Sequence, residues 1–239
     1  TNKILSRFVD VVAMGYKDAE ASFSKAKRVV YTGNPVRPDV LVDTRADGRN
    51  YFNLSDDTFT VLIAGGSRGA RTINNAMIDV HKHFQGTKGI KLIHITGDGE
   101  YKSVLSQLGI TDGNGLGDSS VILPYLHDMP KALAAADLAV FRSGAIGLAE
   151  LAVRGIPSVL VPYPYAAEDH QTYNARIFVQ EGAAHMIVDQ MLSAHDLIGE
   201  IEMFMANRDL LSQMGERALQ LGKPNAAHDI AKLALSIAK

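Results

Sequence analysis

The sequence predicts an α/β fold: a Rossmann-like, doubly wound parallel sheet spanning about residues 58–222. Two observations predict it. Six short runs are apolar without alternation (residues 58–66, 90–97, 119–126, 138–143, 157–164 and 183–189), as strands buried on both faces are. Helix-length segments separate these runs, and strand–helix alternation is how a parallel sheet acquires its covering layers.

The elements follow in order. KILSRFVDVVA (3–13) places Ile4, Leu5, Phe8, Val11 and Val12 on one face of a helix. RVVYTGNP (28–35) reads as a short strand ending in a Gly-Asn-Pro turn. Pro35 and Pro38 stiffen the segment 32–38, as suits a connection between domains. Residues 42–57 are polar and loop-like, with room for a short helical stretch. After the first sheet strand, residues 67–84 read as a helix opened by Ser67 as N-cap. The helices then follow at 100–109, 128–137, 145–155, 171–182, 193–207 and 208–222, and a last one begins at Ala226. The chain starts without Met inside a helical pattern, so a fragment lacking an upstream part is expected.

Composition narrows the function. A formal net charge of −2 gives no basis for a nucleic-acid partner or for attraction to a membrane surface. With no Cys, disulfides and thiolate metal sites are excluded, which fits a reducing compartment. No apolar run reaches the roughly 18 residues that a spanning helix needs.

Ligands of doubly wound sheets sit beyond the carboxyl ends of the strands. The loops 65–70, 97–99, 124–128, 142–147 and 162–171 should therefore face a site. AGGSRGAR (64–71) and RSGAIGLAE (142–150) are both Gly-rich strand-to-helix turns. A helix start offers unpaired N–H groups and a positive dipole end, which suit a phosphate. The first turn matches neither the P-loop nor the dinucleotide fingerprint. A carboxylate at Glu150 can accept two hydrogen bonds from a ribose diol, or can serve as a surface acid near the helix start. Arg142 pairs with a phosphate or with a buried acid; the two readings are equal. In EDHQTYNA (168–175), Asp169 and His170 are placed to cap a helix, and Gln171 both donates and accepts, as reading of sugar hydroxyls requires. No HExxH-type spacing marks a metal site.

In order and spacing, TGNPVR, GGSRGAR, PYLHDMP, RSGAIGLAE with VRGIPSVLVPYP, and DHQTYNA resemble the MurG family of bacterial glycosyltransferases over about residues 1–190. These enzymes move N-acetylglucosamine from its UDP donor to undecaprenyl-pyrophosphoryl-muramyl-pentapeptide. The resemblance implies one half of a GT-B fold. Residues 1–36 would be a remnant of the acceptor domain and linker, 37–222 the UDP-sugar-binding domain, and 223–239 a helix crossing back. It implies Arg37 and Ser67 on the diphosphate side and Leu126 against uracil. Backbone from Ala145 through Ile146, Gly147, Leu148 and Ala149 would cradle phosphate, with Arg142, Ser143 and Gly144 leading in. Glu150 would hold the ribose, and Gln171 the amino sugar, with Asp169, His170 and Asn174 shaping its loop.

Two positions depart from the family: Gly147 stands where Thr is usual, and Arg68 where Gln is frequent. The resemblance further implies inverting transfer, no tightly held metal or cofactor, and a base in the missing domain. It implies a lipid-linked acceptor met through that domain, a place on the cytoplasmic face of the membrane through the full-length protein, and no activity for this chain alone. Two alternatives remain: the catalytic subunit of a two-chain lipid-linked transferase, and an epimerase-like UDP-sugar binder.

Overall fold

The computed structural model describes residues 2–66 and 69–238, without the side chains of Asp18, Ala19 and Ser22. The elements in chain order begin with α1 (Asn2–Leu5), β1 (Val12–Met14), β2 (Val29–Tyr31), α2 (Pro38–Val42), α3 (Arg45–Tyr51), β3 (Phe59–Ala64) and α4 (Arg71–Phe84). Next come β4 (Ile90–Ile95), α5 (Asp98–Leu108), β5 (Ser120–Leu123), α6 (Met129–Ala135), β6 (Leu138–Phe141), α7 (Ala145–Arg154) and β7 (Ser158–Leu160). The chain ends through α8 (His170–Gln180), β8 (Ala184–Met186), α9 (Ala194–Ala206), α10 (Arg208–Leu221) and α11 (Ala226–Ile237).

Strands β3 to β8 form one sheet in the order β5-β4-β3-β6-β7-β8, parallel throughout. The expected doubly wound sheet is therefore present, and its order reverses between β3 and β6. Successive residues of β3 point to opposite layers, and both layers are dry. Leu62 and Ala64 join Ile93, Leu133, Leu148 and Leu151 under α6, α7 and α8. Phe59, Val61 and Ile63 join Met77, Leu92, Val140, Leu197 and Phe204 under α4, α9 and α10. Burying each such side chain contributes about 1.5–3 kcal/mol before conformational entropy is charged. This two-sided burial is the physical reason for the unbroken apolar runs.

Two expectations are corrected. The helix over 3–13 stops at Leu5, and Val12–Met14 instead pairs in parallel with β2. Ile4, Leu5 and Phe8 are 63%, 53% and 76% exposed. Without burial of that face, nothing sustains so short a helix. Pro38 occupies the first turn of α2, where its missing N–H costs nothing. The polar stretch after it holds α3, opened by a capping box between Thr44 and Asp47. Lastly, the helix expected from Ser67 begins at Arg71, with Ala70 as N-cap. Gly69, at φ +74°, lies so close to the next strand that a Cβ would stand 2.0 Å from the Thr96 carbonyl oxygen. That turn delays the helix by four residues. Among the described residues no helix is long and apolar enough to cross a membrane.

Candidate functional site

At the carboxyl ends of β3 and β6, where the strand order reverses, a cavity of about 480 Å³ opens. Its walls come from the turns after β3 (Gly65, Gly66), β4 (Gly97), β5 (Tyr125, Leu126) and β6 (Arg142, Gly144), from α7 (Ile146, Gly147, Glu150), and from Arg37 and Gln171. A crevice at the switch point of a doubly wound sheet is where such folds place ligands. A broader groove of about 1070 Å³ lies near the amino ends of β3, β4 and β5. Among its described residues it joins no buried carboxylate to a helix start.

The start of α7 forms one wall. Gly144 is its N-cap, and no side chain caps the first turn. The opening amides of α7 therefore lack both an intrahelical acceptor and a side-chain one, and the positive end of the helix dipole adds to them. The turn leading into α7 is held rigidly from behind. Ser143 is fully buried and its Oγ donates to the Gln171 carbonyl at 2.8 Å, while Asn174 Nδ2 donates to the Ser143 carbonyl at 3.1 Å. Tyr16 Oη donates to the Ala145 carbonyl at 3.3 Å.

Glu150 follows on the same helix, its side chain 9% exposed. Its Oε1 accepts from Arg37 Nε at 3.1 Å and lies 3.1 Å from Arg37 Nη2. Burial raises the Glu150 carboxyl from its ordinary pKa, and the Arg37 charge opposes that rise. Arg142 is bound through Nη1 to the carbonyls of Val161 and Pro162, both at 3.0 Å, and to the Asp189 carboxylate. Of the two readings of Arg142, the buried acid is thus the partner it has, although the residue still lines the cavity.

A buried polar chain links α4 to β4 and β5. Ser120 Oγ meets His81 Nδ1 at 2.9 Å, His81 Nε2 meets His94 Nδ1 at 3.0 Å, and His94 Nε2 meets Asn74 Oδ1 at 3.0 Å. Asn74 Nδ2 donates to the Thr96 carbonyl at 3.0 Å, so its oxygen is left to accept. This fixes the direction: His94 donates to Asn74, His81 donates to His94, and Ser120 donates to His81. Both imidazoles are neutral. Burial pushes His81 down to about 4 and His94 well below its ordinary value, with His81 as a lesser cause for His94.

Of the residues expected to bind, Arg37, Leu126, Arg142, Gly144, Ile146, Gly147, Glu150 and Gln171 line the cavity. Ser143 and Asn174 stand behind it, Leu148 is in the core, and Ala149 faces a separate cavity of about 260 Å³. Ala145 supplies backbone at the helix start but does not line the wall. His170 is exposed, with Nδ1 2.7 Å from the Ala167 carbonyl, and lies off the wall. Ser67, like Arg68, lies outside the described residues. Sequence reasoning missed Tyr125, Met129 and Phe141 as lining residues, and Asp189 as the partner of Arg142. Tyr125 lay within a flagged loop, whereas Asp189 carried no local signal. Among the described residues no group of three or more His, Asp or Glu is placed to hold a metal ion.

Comparison with known proteins gives the family and agrees with the fold. Residues 60–233 match the model of the glycosyltransferase family 28 C-terminal domain. The chain is 40% identical, over 97% of its length, to the UDP-N-acetylglucosamine–N-acetylmuramyl-(pentapeptide) pyrophosphoryl-undecaprenol N-acetylglucosamine transferase of Desulforamulus reducens, and covers 63% of that protein. It is 42% identical to the Desulfitobacterium hafniense Y51 protein of the same name, covering 100% of this chain and 64% of the relative. The chain thus spans less than two thirds of the length of these curated relatives. The crystal structure of Acinetobacter baumannii MurG superposes with a TM-score of 0.75 at 28% identity, over 99% of this chain and 64% of that one. A Staphylococcus aureus MnaA–UDP co-structure shares the fold alone, at TM-score 0.71, 15% identity, and 99% and 64% coverage. The family model, the parallel sheet and the cavity at its switch point lead to one conclusion: the chain belongs to the glycosyltransferase family 28 C-terminal domain family.

Proposed function

We propose that this chain is the UDP-N-acetylglucosamine-binding part of an inverting transferase that adds N-acetylglucosamine to undecaprenyl-pyrophosphoryl-N-acetylmuramyl-pentapeptide. The observation that carries the reading is a single cavity joining the uncapped start of α7 to the buried carboxylate of Glu150. These are the two groups that a nucleoside diphosphate needs, about one and a half helical turns apart. Diphosphate oxygens accept from the α7 amides and the turn after β3. The ribose hydroxyls donate to Glu150. Uracil lies against Leu126 and Tyr125, and the sugar reaches Gln171.

In the reaction an acceptor hydroxyl attacks the anomeric carbon of the donor. The bond from that carbon to the diphosphate breaks, and its electron pair leaves on UDP. Preorganised amides at the α7 start stabilise the charge as it grows, without a tightly held metal. The acceptor proton goes to a base outside this chain, in the part of the relatives' length that the chain does not cover. On this reading the lipid-linked acceptor and the cytoplasmic membrane face are met by the whole protein, and this chain alone binds donor without turning it over.

Calorimetric titration with UDP-N-acetylglucosamine, UDP and ADP tests the proposal. UDP and its sugar are expected to bind, and ADP at least tenfold more weakly. Equal or tighter binding of ADP refutes it.

A further inference from the structure

We propose that this chain has a second ligand site, for a small aromatic carboxylate, in the cavity of about 260 Å³ on the side of α7 away from the donor site. The proposal stands independently of the donor reading, because no residue lines both cavities.

The helix comes first. Ile146, Gly147 and Glu150 of α7 stand on the donor cavity, while Leu148, Ala149 and Ala152 stand on the second one. Residues three and four apart share a helix face, so the two sets are separate faces. Ala149 and Ala152 are small, and their size leaves the volume open. Leu148 and Phe178 of α8, both buried, complete an apolar floor. An apolar lining with a few polar groups around it is the usual make-up of a small-molecule pocket.

The frame comes second. A Cβ at Gly15 would lie 2.3 Å from Asn34 Oδ1, and one at Gly33, φ +81°, would lie 2.4 Å from Lys223 Cβ. All four residues line the cavity. The segments after β1, β2 and α10 are thus already in closest contact where they meet, and cannot move together to fill the void. Tyr16 packs against the core that contains Leu148 and Ala152, and its Oη donates to the Ala145 carbonyl at 3.3 Å. Burial raises the Tyr16 phenol well above its ordinary pKa, so this wall carries no negative charge near neutral pH.

Size and charge come third, and they select the ligand. An apolar cavity of about 150 Å³ holds a benzene molecule, so one of about 260 Å³ takes a single ring bearing a short polar group. The Tyr16 and Tyr31 rings on the wall suit an aromatic body. The charged side chains on the wall are Lys17, Lys223 and Glu181. Among the described residues neither lysine has an ion-pair partner, and Lys223 Nζ stands 4.9 Å from the centroid of the Tyr31 ring. Two ammonium groups against one carboxylate leave one positive charge, which matches a monoanion. A phosphate monoester, at about −1.5 to −2, exceeds that charge and meets Glu181 as well.

Benzoate, benzyl alcohol and benzylamine are titrated into the isotope-labelled chain, and backbone amide shifts are followed by NMR. Benzoate is expected to bind with a dissociation constant of about 5 mM or tighter and to shift the amides of Gly15, Ala149 and Lys223. Benzyl alcohol should bind about threefold more weakly, and benzylamine no tighter than the alcohol. Lys223→Gln should bring benzoate down to the level of the alcohol. Ala149→Leu should fill the cavity and abolish benzoate binding, with the melting temperature as folding control. Saturating UDP should leave the benzoate affinity unchanged within about twofold. Benzylamine binding as tightly as benzoate overturns the proposal. So does an unaltered benzoate affinity in either variant, displacement of benzoate by UDP, or no shift of these amides at about ten times the expected dissociation constant. Absence of UDP binding overturns the donor reading alone.

Discussion

Acidification should unfold this protein through one buried pair. His81 and His94 are both fully buried and both neutral in the chain from Ser120 to Thr96. Their folded-state pKa values are depressed, so the unfolded chain takes up protons first. Stability is intact above the ordinary histidine value of 6.5 and is lost as pH falls from there towards the folded value of about 4 for His81. For His81 alone, linkage over that window gives a loss of about 2 kcal/mol at pH 5 and about 3 kcal/mol in full. His94 adds to this in the same direction. Glu150, raised by burial, and His185, raised by its hydrogen bond to Glu200, contribute the opposite slope. A difference measurement removes them. Urea unfolding followed by circular dichroism at pH 7.5 and 5.0 is compared for the wild type and the His81→Leu/His94→Leu double variant. Leu is of similar volume and cannot titrate. The wild type should lose at least about 2 kcal/mol more than the variant between the two pH values. Equal losses would refute the neutral buried chain.

Three further outcomes follow from the turns and ion pairs. Gly69→Ala should destabilise by more than about 2 kcal/mol in thermal melts, because the position combines positive φ with a Cβ only 2.0 Å from the Thr96 oxygen. Gly147→Ala should do the reverse. A Cβ there meets only Phe141, at 3.5 Å and 3.8 Å, so helix propensity should raise stability by about 0.5–1 kcal/mol in the same melts. Arg142→Met should cost about 3 kcal/mol in urea unfolding, since it leaves Asp189, 12% exposed on its side chain, without a countercharge and with the Thr72 hydroxyl donating to its other oxygen.

What the sequence made legible is what two-sided burial writes locally. The β3 and β4 runs are readable because Leu62 and Ile93 on one layer, and Val61 and Leu92 on the other, are all fully buried. The loops that face the cavity were legible for a related reason: in a parallel sheet they follow the strands. Periodicity failed where an apolar face has no cover. Ile4, Leu5 and Phe8 keep helical spacing but stay exposed, and the helix ends at Leu5. Residue type failed at the start of α4, where a capping serine outweighed the backbone demands of Gly69. Long-range pairing lay beyond reach. Arg142 finds Asp189 across 47 residues, and Arg37 finds Glu150 across 113. Neither separation leaves a mark in the neighbouring sequence, so the phosphate and buried-acid readings of Arg142 could be told apart only in three dimensions.

The account's central claim is that the start of α7 and Glu150 together hold a uridine diphosphate. Calorimetric titration of UDP against the wild type and Glu150→Ala tests it most directly. The account predicts binding to the wild type and a loss of at least tenfold in the variant, the effect of removing about 1.5–3 kcal/mol of hydrogen bonding to a charged group. Equal affinity for the two proteins would contradict it.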